Sequence, residues 1–230
     1  MVSEGNTGTI VSDRTAPALR GFGPLGLLAI AVVLLAGNAG GVPVGALLVL
    51  GWARLSGTPL RELGFTAPRR WGLTVPLAIL FGVAFKLLLK CVVMPLLGAP
   101  PVNAAYHFLA GNTAALPGAV WTMIVAAGFG EETVFRGFSF ERMRSAFGDT
   151  RIVKTAAVLV SATVFGLAHL REQGVFGAIM AGIVGLTWGA IYARTRSLPF
   201  LMIAHASFDL VALAMIYTDR ETWFAHLFFK

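Results

Sequence analysis

Apolar residues fall in blocks along this chain, at 22–36, 42–53, 72–95, 118–140, 152–170, 174–193 and 198–217. Most of these blocks reach the length of about 17–25 residues that an α-helix needs to cross a bilayer. The first two are short. Gly37-Asn38-Ala39-Gly40-Gly41-Val42-Pro43 between them is strong turn chemistry, so they form either a tight hairpin of two spans or one broken helix. The expected fold class is all-α: a polytopic membrane helix bundle of about seven transmembrane helices, with six as the alternative. Residues 56–71 read as a short amphipathic helix starting near Thr58-Pro59, with Leu60, Leu63 and Phe65 dipping into the inner interface. Residues 103–110 form a similar piece outside. In the 174–193 run, Gly177, Ala181, Gly185 and Gly189 recur every fourth residue, a stripe that lets helix backbones approach closely.

Charge sets the orientation. Lys and Arg accumulate on cytoplasmic loops. If the first two runs are a hairpin, twelve of the eighteen basic residues lie on one side: Arg14, Arg20, Arg54, Arg61, Arg69, Arg70, Arg142, Arg144, Arg151, Lys154, Arg194 and Arg196. The 96–117 loop on the other side carries no Asp, Glu, Lys or Arg. The N-terminus is therefore expected to be cytoplasmic, with 1–20 a polar tail, 21–114 the N-terminal membrane helices, 115–217 a second helix bundle and 218–230 a short C-terminal tail. Lys86 and Lys90 lie near a helix end and are read as snorkelling to the interface.

Composition agrees. The chain is 57% apolar and only 13% charged, against about a quarter charged in soluble domains, and its mean hydropathy is +0.77. An ordinary soluble enzyme and a disordered chain are excluded. The single cysteine, Cys91, excludes a disulfide scaffold. The net charge of +7 does not point to nucleic acid, because the basic residues sit at the ends of apolar blocks. The partner it implies is the lipid bilayer of the cell (plasma) membrane, in a multi-pass protein of prokaryotic character.

Ionisable residues inside apolar spans are costly and mark function by default. Here they are Glu131-Glu132-Thr133-Val134-Phe135-Arg136, Phe165-Gly166-Leu167-Ala168-His169 and His205-Ala206-Ser207-Phe208-Asp209. Glu132 and Arg136 are four apart and can pair, which frees Glu131 to face elsewhere. His205 and Asp209 are also four apart, so Asp209 can fix the imidazole. Phe165 sets an aromatic wall beside His169. Counted from the nearest cytoplasmic basic residue at about 1.5 Å per residue, Glu131, His169 and His205 reach similar depth. A buried carboxylate beside imidazoles suits a general base acting on water, and a second imidazole can hold an oxyanion. The same Glu131, His169 and His205 are the ligands if zinc is present. His-Glu-x-x-His and the serine and aspartyl intramembrane signatures are absent from the sequence.

Together, Glu131-Glu132-x-x-x-Arg136, Phe165-x-x-x-His169 and His205-x-x-x-Asp209 resemble the motifs of the CPBP family. This is the CAAX-protease (Rce1-like), Abi and bacteriocin-processing group of intramembrane proteases. The resemblance covers about 115–215, and Leu63-Gly64-Phe65 adds to it. It implies an endopeptidase acting on membrane-associated or lipidated substrates of the CAAX or leader-peptide type. Glu131 and His169 would activate water, His205 and Asp209 would stabilise the oxyanion, and Glu132 and Arg136 would support the site. The family is often classed among metalloproteases; the resemblance favours glutamate dependence and no cofactor, with zinc as the alternative. Asp209 departs from the commoner Asn. Other readings of the same residues are a non-catalytic membrane scaffold or immunity protein of this fold, and an ion transporter.

Overall fold

The computed structural model describes residues 14–39 and 42–229. Residues 1–13 of the polar tail, Gly40 and Gly41 of the turn, and Lys230 lie outside the described residues. The described elements are helical. α1 spans Thr15–Arg20, α2 Pro24–Ala39 and α3 Val42–Leu55. Four further helices are long and apolar enough to cross a membrane: α4 Trp71–Leu96, α5 Thr113–Phe147, α6 Arg151–Thr195 and α7 Leu198–Tyr217. α8 is a short C-terminal helix at Glu221–Ala225.

Length alone thus gives four spans where the sequence predicts about seven, for two reasons. α2 and α3 have only 16 and 14 residues. The runs 152–170 and 174–193 are two arms of α6. Gly174 breaks them apart with φ 67° and ψ −169°, a backbone conformation open to glycine and closed to most residues. The arms fold back on each other. A Cβ built on Gly166 would stand 2.9 Å from the Ala178 carbonyl, one on Gly185 2.8 Å from Ala162, and one on Gly189 3.3 Å from Val158. These pairs are nearly symmetric about residue 173, as antiparallel arms require. The glycine stripe is therefore a packing surface, and its partner is the preceding arm.

The helix ends have local causes. Thr150 caps α6 by accepting the Val153 N–H at 3.2 Å, and Asn112 caps the start of α5 by accepting the Ala115 N–H. Gly148, at φ +87°, closes α5. α4 and α7 touch at backbone distance: a Cβ on Gly82 would lie 2.1 Å from the Ala204 carbonyl. Gly128 brings α5 similarly close to the Met202 carbonyl. α7 is thereby clamped between α4 and α5 at the level of His205.

The largest core joins Phe165, Trp188, Tyr192, Leu198, Leu201 and Phe208. A second core joins α2, α3 and α5 through Val33, Val49, Trp52 and Phe138, with Trp52 edge-on to Phe138 at 5.0 Å. Much of the outer surface is apolar, with Leu28, Leu35, Leu47 and Leu80 each well exposed. A lipid-facing exterior needs such a surface; a soluble monomer rarely carries one.

Segment 56–71 differs from its expected form. It contains a single 3₁₀ turn, Leu60–Leu63, ended by Gly64 at φ 88°. Leu60 is exposed, but Leu63 is fully buried against α5, so the turn plugs the bundle instead of lying on it. Glu62 locks it there by accepting from Arg20 and Arg144, each at 2.6 Å. Burial would raise the Glu62 pKa, but the two guanidinium hydrogen bonds and their charges outweigh it and hold the carboxyl below its usual range. Residues 103–110 likewise contain one turn, His107–Leu109.

Candidate active site

Between Thr122 and Phe138, α5 is wound more widely than an α-helix, with i→i+5 hydrogen bonds. Such stretches are rare and concentrate at functional sites. Consecutive side chains on a wider helix point in more similar directions than the ~100° of an α-helix allows. Glu131 and Glu132 therefore address the same imidazole. Glu132 Oε1 accepts from His205 Nδ1 at 2.7 Å, while a Glu131 oxygen stands 3.7 Å from Nε2. Glu132 pairs with Arg136, and Glu131 is left to face the cavity, yet both carboxylates stay within reach of the one ring.

Glu132 also accepts from Arg136 Nη1 at 3.0 Å, and both side chains are fully buried. The Arg136 guanidinium lies 4.7 Å from the Phe165 ring centroid, where cation–π attraction partly replaces water. The Phe165 ring is also 4.7 Å from the His169 ring and 6.2 Å from the His205 ring. Phe165 is thus the platform on which the first motif's cation and both imidazoles rest. Spacing alone shows only its relation to His169.

Tautomers follow from partners. The Phe165 carbonyl can only accept, so His169 Nδ1, at 2.8 Å, carries a hydrogen and donates it. Nδ1 of His205 donates to the ion-paired Glu132. Each ring keeps Nε2 for chemistry. The predicted anchor of His205 was Asp209; the structure gives that task to Glu132. Asp209 approaches the other nitrogen, Nε2, at 3.5 Å, beside Glu131. A carboxylate four residues away is a reasonable guess from sequence, but one 73 residues away reaches the imidazole better because α7 packs closely on α5.

Glu131, Phe165, His169, His205 and Asp209 all line one cavity of about 500 Å³. Glu132 and Arg136 sit behind it. Segment 100–106 and Glu221 also border the cavity. Tyr106 accepts a hydrogen bond from Gln173 at 3.4 Å beside the Gly174 break. Burial, then the Glu172, Asp209 and Glu131 charges, raise the Tyr106 pKa, so it stays a neutral phenol. Zinc would need Glu131, His169 and His205 to converge to about 2.0–2.2 Å of one point. No group of three His, Cys, Asp or Glu is so arranged among the described residues.

Sequence reasoning missed Lys86 and Lys90. They do not snorkel. Both line the cavity, and Lys90 forms a buried ion pair with Glu221 at 2.9 Å. The available signal was their position four apart within an apolar run, and Glu221 lies too far along the chain to be matched by spacing.

A bundle of apolar helices closed around carboxylates and imidazoles defines a multi-pass membrane protein with a buried polar site. Residues 113–211 match the family model described as type II CAAX prenyl endopeptidase Rce1-like. That stretch is just over two fifths of the chain and holds all three motifs. Comparison with curated proteins and with solved structures gives no match.

Proposed function

We propose that this chain is an intramembrane endopeptidase acting on membrane-associated or lipidated substrates. The observation that carries the reading is the clasp on His205: Glu132 holds Nδ1, and Nε2 faces the cavity between Glu131 and Asp209. A purely structural ion pair needs Glu132 and Arg136 but not Glu131, His169 or a cavity.

In this mechanism water sits between Glu131 and His169. Glu131 takes its proton as the hydroxide oxygen bonds to the scissile carbonyl carbon. The carbonyl π-electrons move to oxygen, and the oxyanion is held by Nε2–H of His205, protonated at both nitrogens and anchored by Glu132. Collapse breaks the C–N bond, and the proton held by Glu131 passes to the leaving amine. Asp209 borders the oxyanion side. Arg136 fixes Glu132, and Phe165 fixes Arg136 and both rings. The step uses this chain's own residues and no cofactor.

The substrate is CAAX-type or leader-type. The family match supports the first, and the second is the other substrate class that the three motifs imply. Seven spans with a cytoplasmic N-terminus in a prokaryotic plasma membrane complete the reading; the break at Gly174 and the basic cluster of Arg20, Arg142, Arg144 and Arg196 support it.

The test compares newly exposed protein N-termini in host membranes carrying the wild type or Glu131→Gln at equal abundance. Termini found only with the wild type are expected. Identical lists from two folded proteins would instead favour a non-catalytic scaffold.

A further inference from the structure

Nε2 of His205 is crowded by carboxylates and bonded to none. Asp209 stands 3.5 Å from it and Glu131 3.7 Å, and neither makes a hydrogen bond to it among the described residues. Nδ1 meanwhile holds Glu132 at 2.7 Å. A carboxylate one turn away should close on an imidazolium N–H, because charge-assisted hydrogen bonds shorten to about 2.7–2.9 Å. Asp209 has not closed, so another group draws it the other way.

Counting charges identifies that group. Glu132 is matched by Arg136. A doubly protonated His205 offsets one of the two remaining carboxylates, Glu131 and Asp209, and leaves the other without a cation. The described cavity lining holds two lysines and no arginine. Lys90 is committed: its ammonium donates to Glu221 at 2.9 Å and to the Pro101 carbonyl. Lys86 makes no hydrogen bond or ion pair among the described residues, and its ammonium stands 4.8 Å from the Phe208 ring centroid. An aromatic face offsets only part of the cost of a buried ammonium. Helix register fixes its place. Gly82 of α4 abuts the Ala204 carbonyl of α7, and four residues on in each helix Lys86 meets Phe208. The two helices therefore run parallel and level, and backbone contact one turn earlier sets Lys86 beside Phe208-Asp209. Lys86 and Asp209 both line the cavity, as do Glu131 and Glu172. Of the charges around Lys86, Asp209 acts on it most strongly. Of those around Asp209, Lys86 is second only to His205. The carboxylate is thus held between two cations.

We propose that Lys86 is a positioning residue: it draws the Asp209 carboxylate away from His205 Nε2, so that Nε2–H stays free for the substrate oxyanion. Without Lys86, Asp209 closes on Nε2 and takes the hydrogen that the oxyanion needs. The kinetic consequence rests on the proteolytic reading above; the hold on Asp209 does not. Two measurements on the full chain in lipid nanodiscs separate them. One is the proton signal of His205 Nε2–H with ¹⁵N-labelled histidine, assigned by its loss in His205→Gln. The other is turnover of a peptide spanning a cleavage site found by the N-terminus comparison.

In Lys86→Met the Nε2–H signal should move downfield as Asp209 accepts the hydrogen, and kcat should fall by about 10²-fold, the usual loss with one oxyanion donor. KM should change little, since the missing interaction is made in the transition state. Lys86→Arg keeps the charge and should keep both signal and rate. Adding Asp209→Asn to Lys86→Met removes the competing carboxylate and should return the signal and most of kcat. A merely structural lysine would give a loss that Asp209→Asn does not rescue, and that result overturns the proposal. So does a loss confined to KM, which would make Lys86 a substrate contact. An Nε2–H signal that stays in place in Lys86→Met overturns it whatever the kinetics show. A signal that moves, with no cleavage by the wild type and host N-termini unchanged by Glu131→Gln, upholds the hold on Asp209 and removes the protease reading.

Discussion

Replacing Glu132 with leucine strands a charge. Arg136 is fully buried, and among the described residues its Nε and Nη2 lack hydrogen-bond partners, so its charge rests there on Glu132 and the Phe165 face. Removing one member of a buried ion pair typically costs about 3–5 kcal/mol. For a chain of this size each kcal/mol moves the melting temperature by about 2–4 °C, so Glu132→Leu should melt roughly 6–20 °C below the wild type. Cys91 supplies the assay. It is the only cysteine and it is buried, so a thiol-reactive dye reports unfolding directly. The decisive comparison is the double variant Glu132→Leu with Arg136→Met. It removes both charges and should melt higher than Glu132→Leu alone, because an apolar pair replaces a stranded cation. It should still be inactive, because His205 Nδ1 loses its acceptor. A double variant that melts as low as the single would refute the charge-compensation argument.

Glu131→Gln should lower turnover by about 10²–10⁴-fold, the usual yield of a general base. It should shift melting much less than Glu132→Leu, since Glu131 lines the cavity and makes no hydrogen bond among the described residues. Asp209→Asn should keep turnover within about tenfold, because an amide can donate to an oxyanion where an ionised carboxylate cannot; complete loss would show that the carboxyl itself is required. Gly82→Ala should sharply lower both melting temperature and activity, because its methyl would meet the Ala204 carbonyl at 2.1 Å and push α7, with His205, off α4; a wild-type melting curve and rate would contradict this. The Glu62 carboxyl is held below its usual pKa in the folded state, so its contribution is present at neutral pH and is lost as pH falls below about 4.5 through the folded value. Melting curves of wild type and Glu62→Gln should therefore differ at pH 7 and converge at low pH, and a gap that persists in acid would exclude the linkage.

The membrane helices were legible because bilayer length and hydropathy are local properties. The three motifs were legible because i, i+4 spacing places side chains on one face whatever the neighbours do. What spacing does not carry is the partner on another helix. Asp209 is the nearest carboxylate to His205 in sequence, yet Glu132 holds it, because the glycines of α4 and α5 bring α7 within backbone contact. The wide winding of Thr122–Phe138 also escaped, since nothing in the residues of that stretch signals a change from the ordinary helical turn. Lys90 and Glu221 were unreadable as a pair because only the folding of the C-terminal segment over the cavity joins them.

The order in which this clasp is made has a consequence for biogenesis. α5 is synthesised first, and at about 5–20 residues per second the 73 residues to His205 take roughly 4–15 s. During that interval α5 must settle in the membrane without the imidazole. Arg136 travels in the same helix, one turn from Glu132, and can neutralise it at once. Glu131 has no such companion and must wait, protonated or near water, until α7 arrives. The cis pair is thus also an insertion aid: a nascent chain lacking Arg136 should suffer degradation before it ever suffers loss of catalysis.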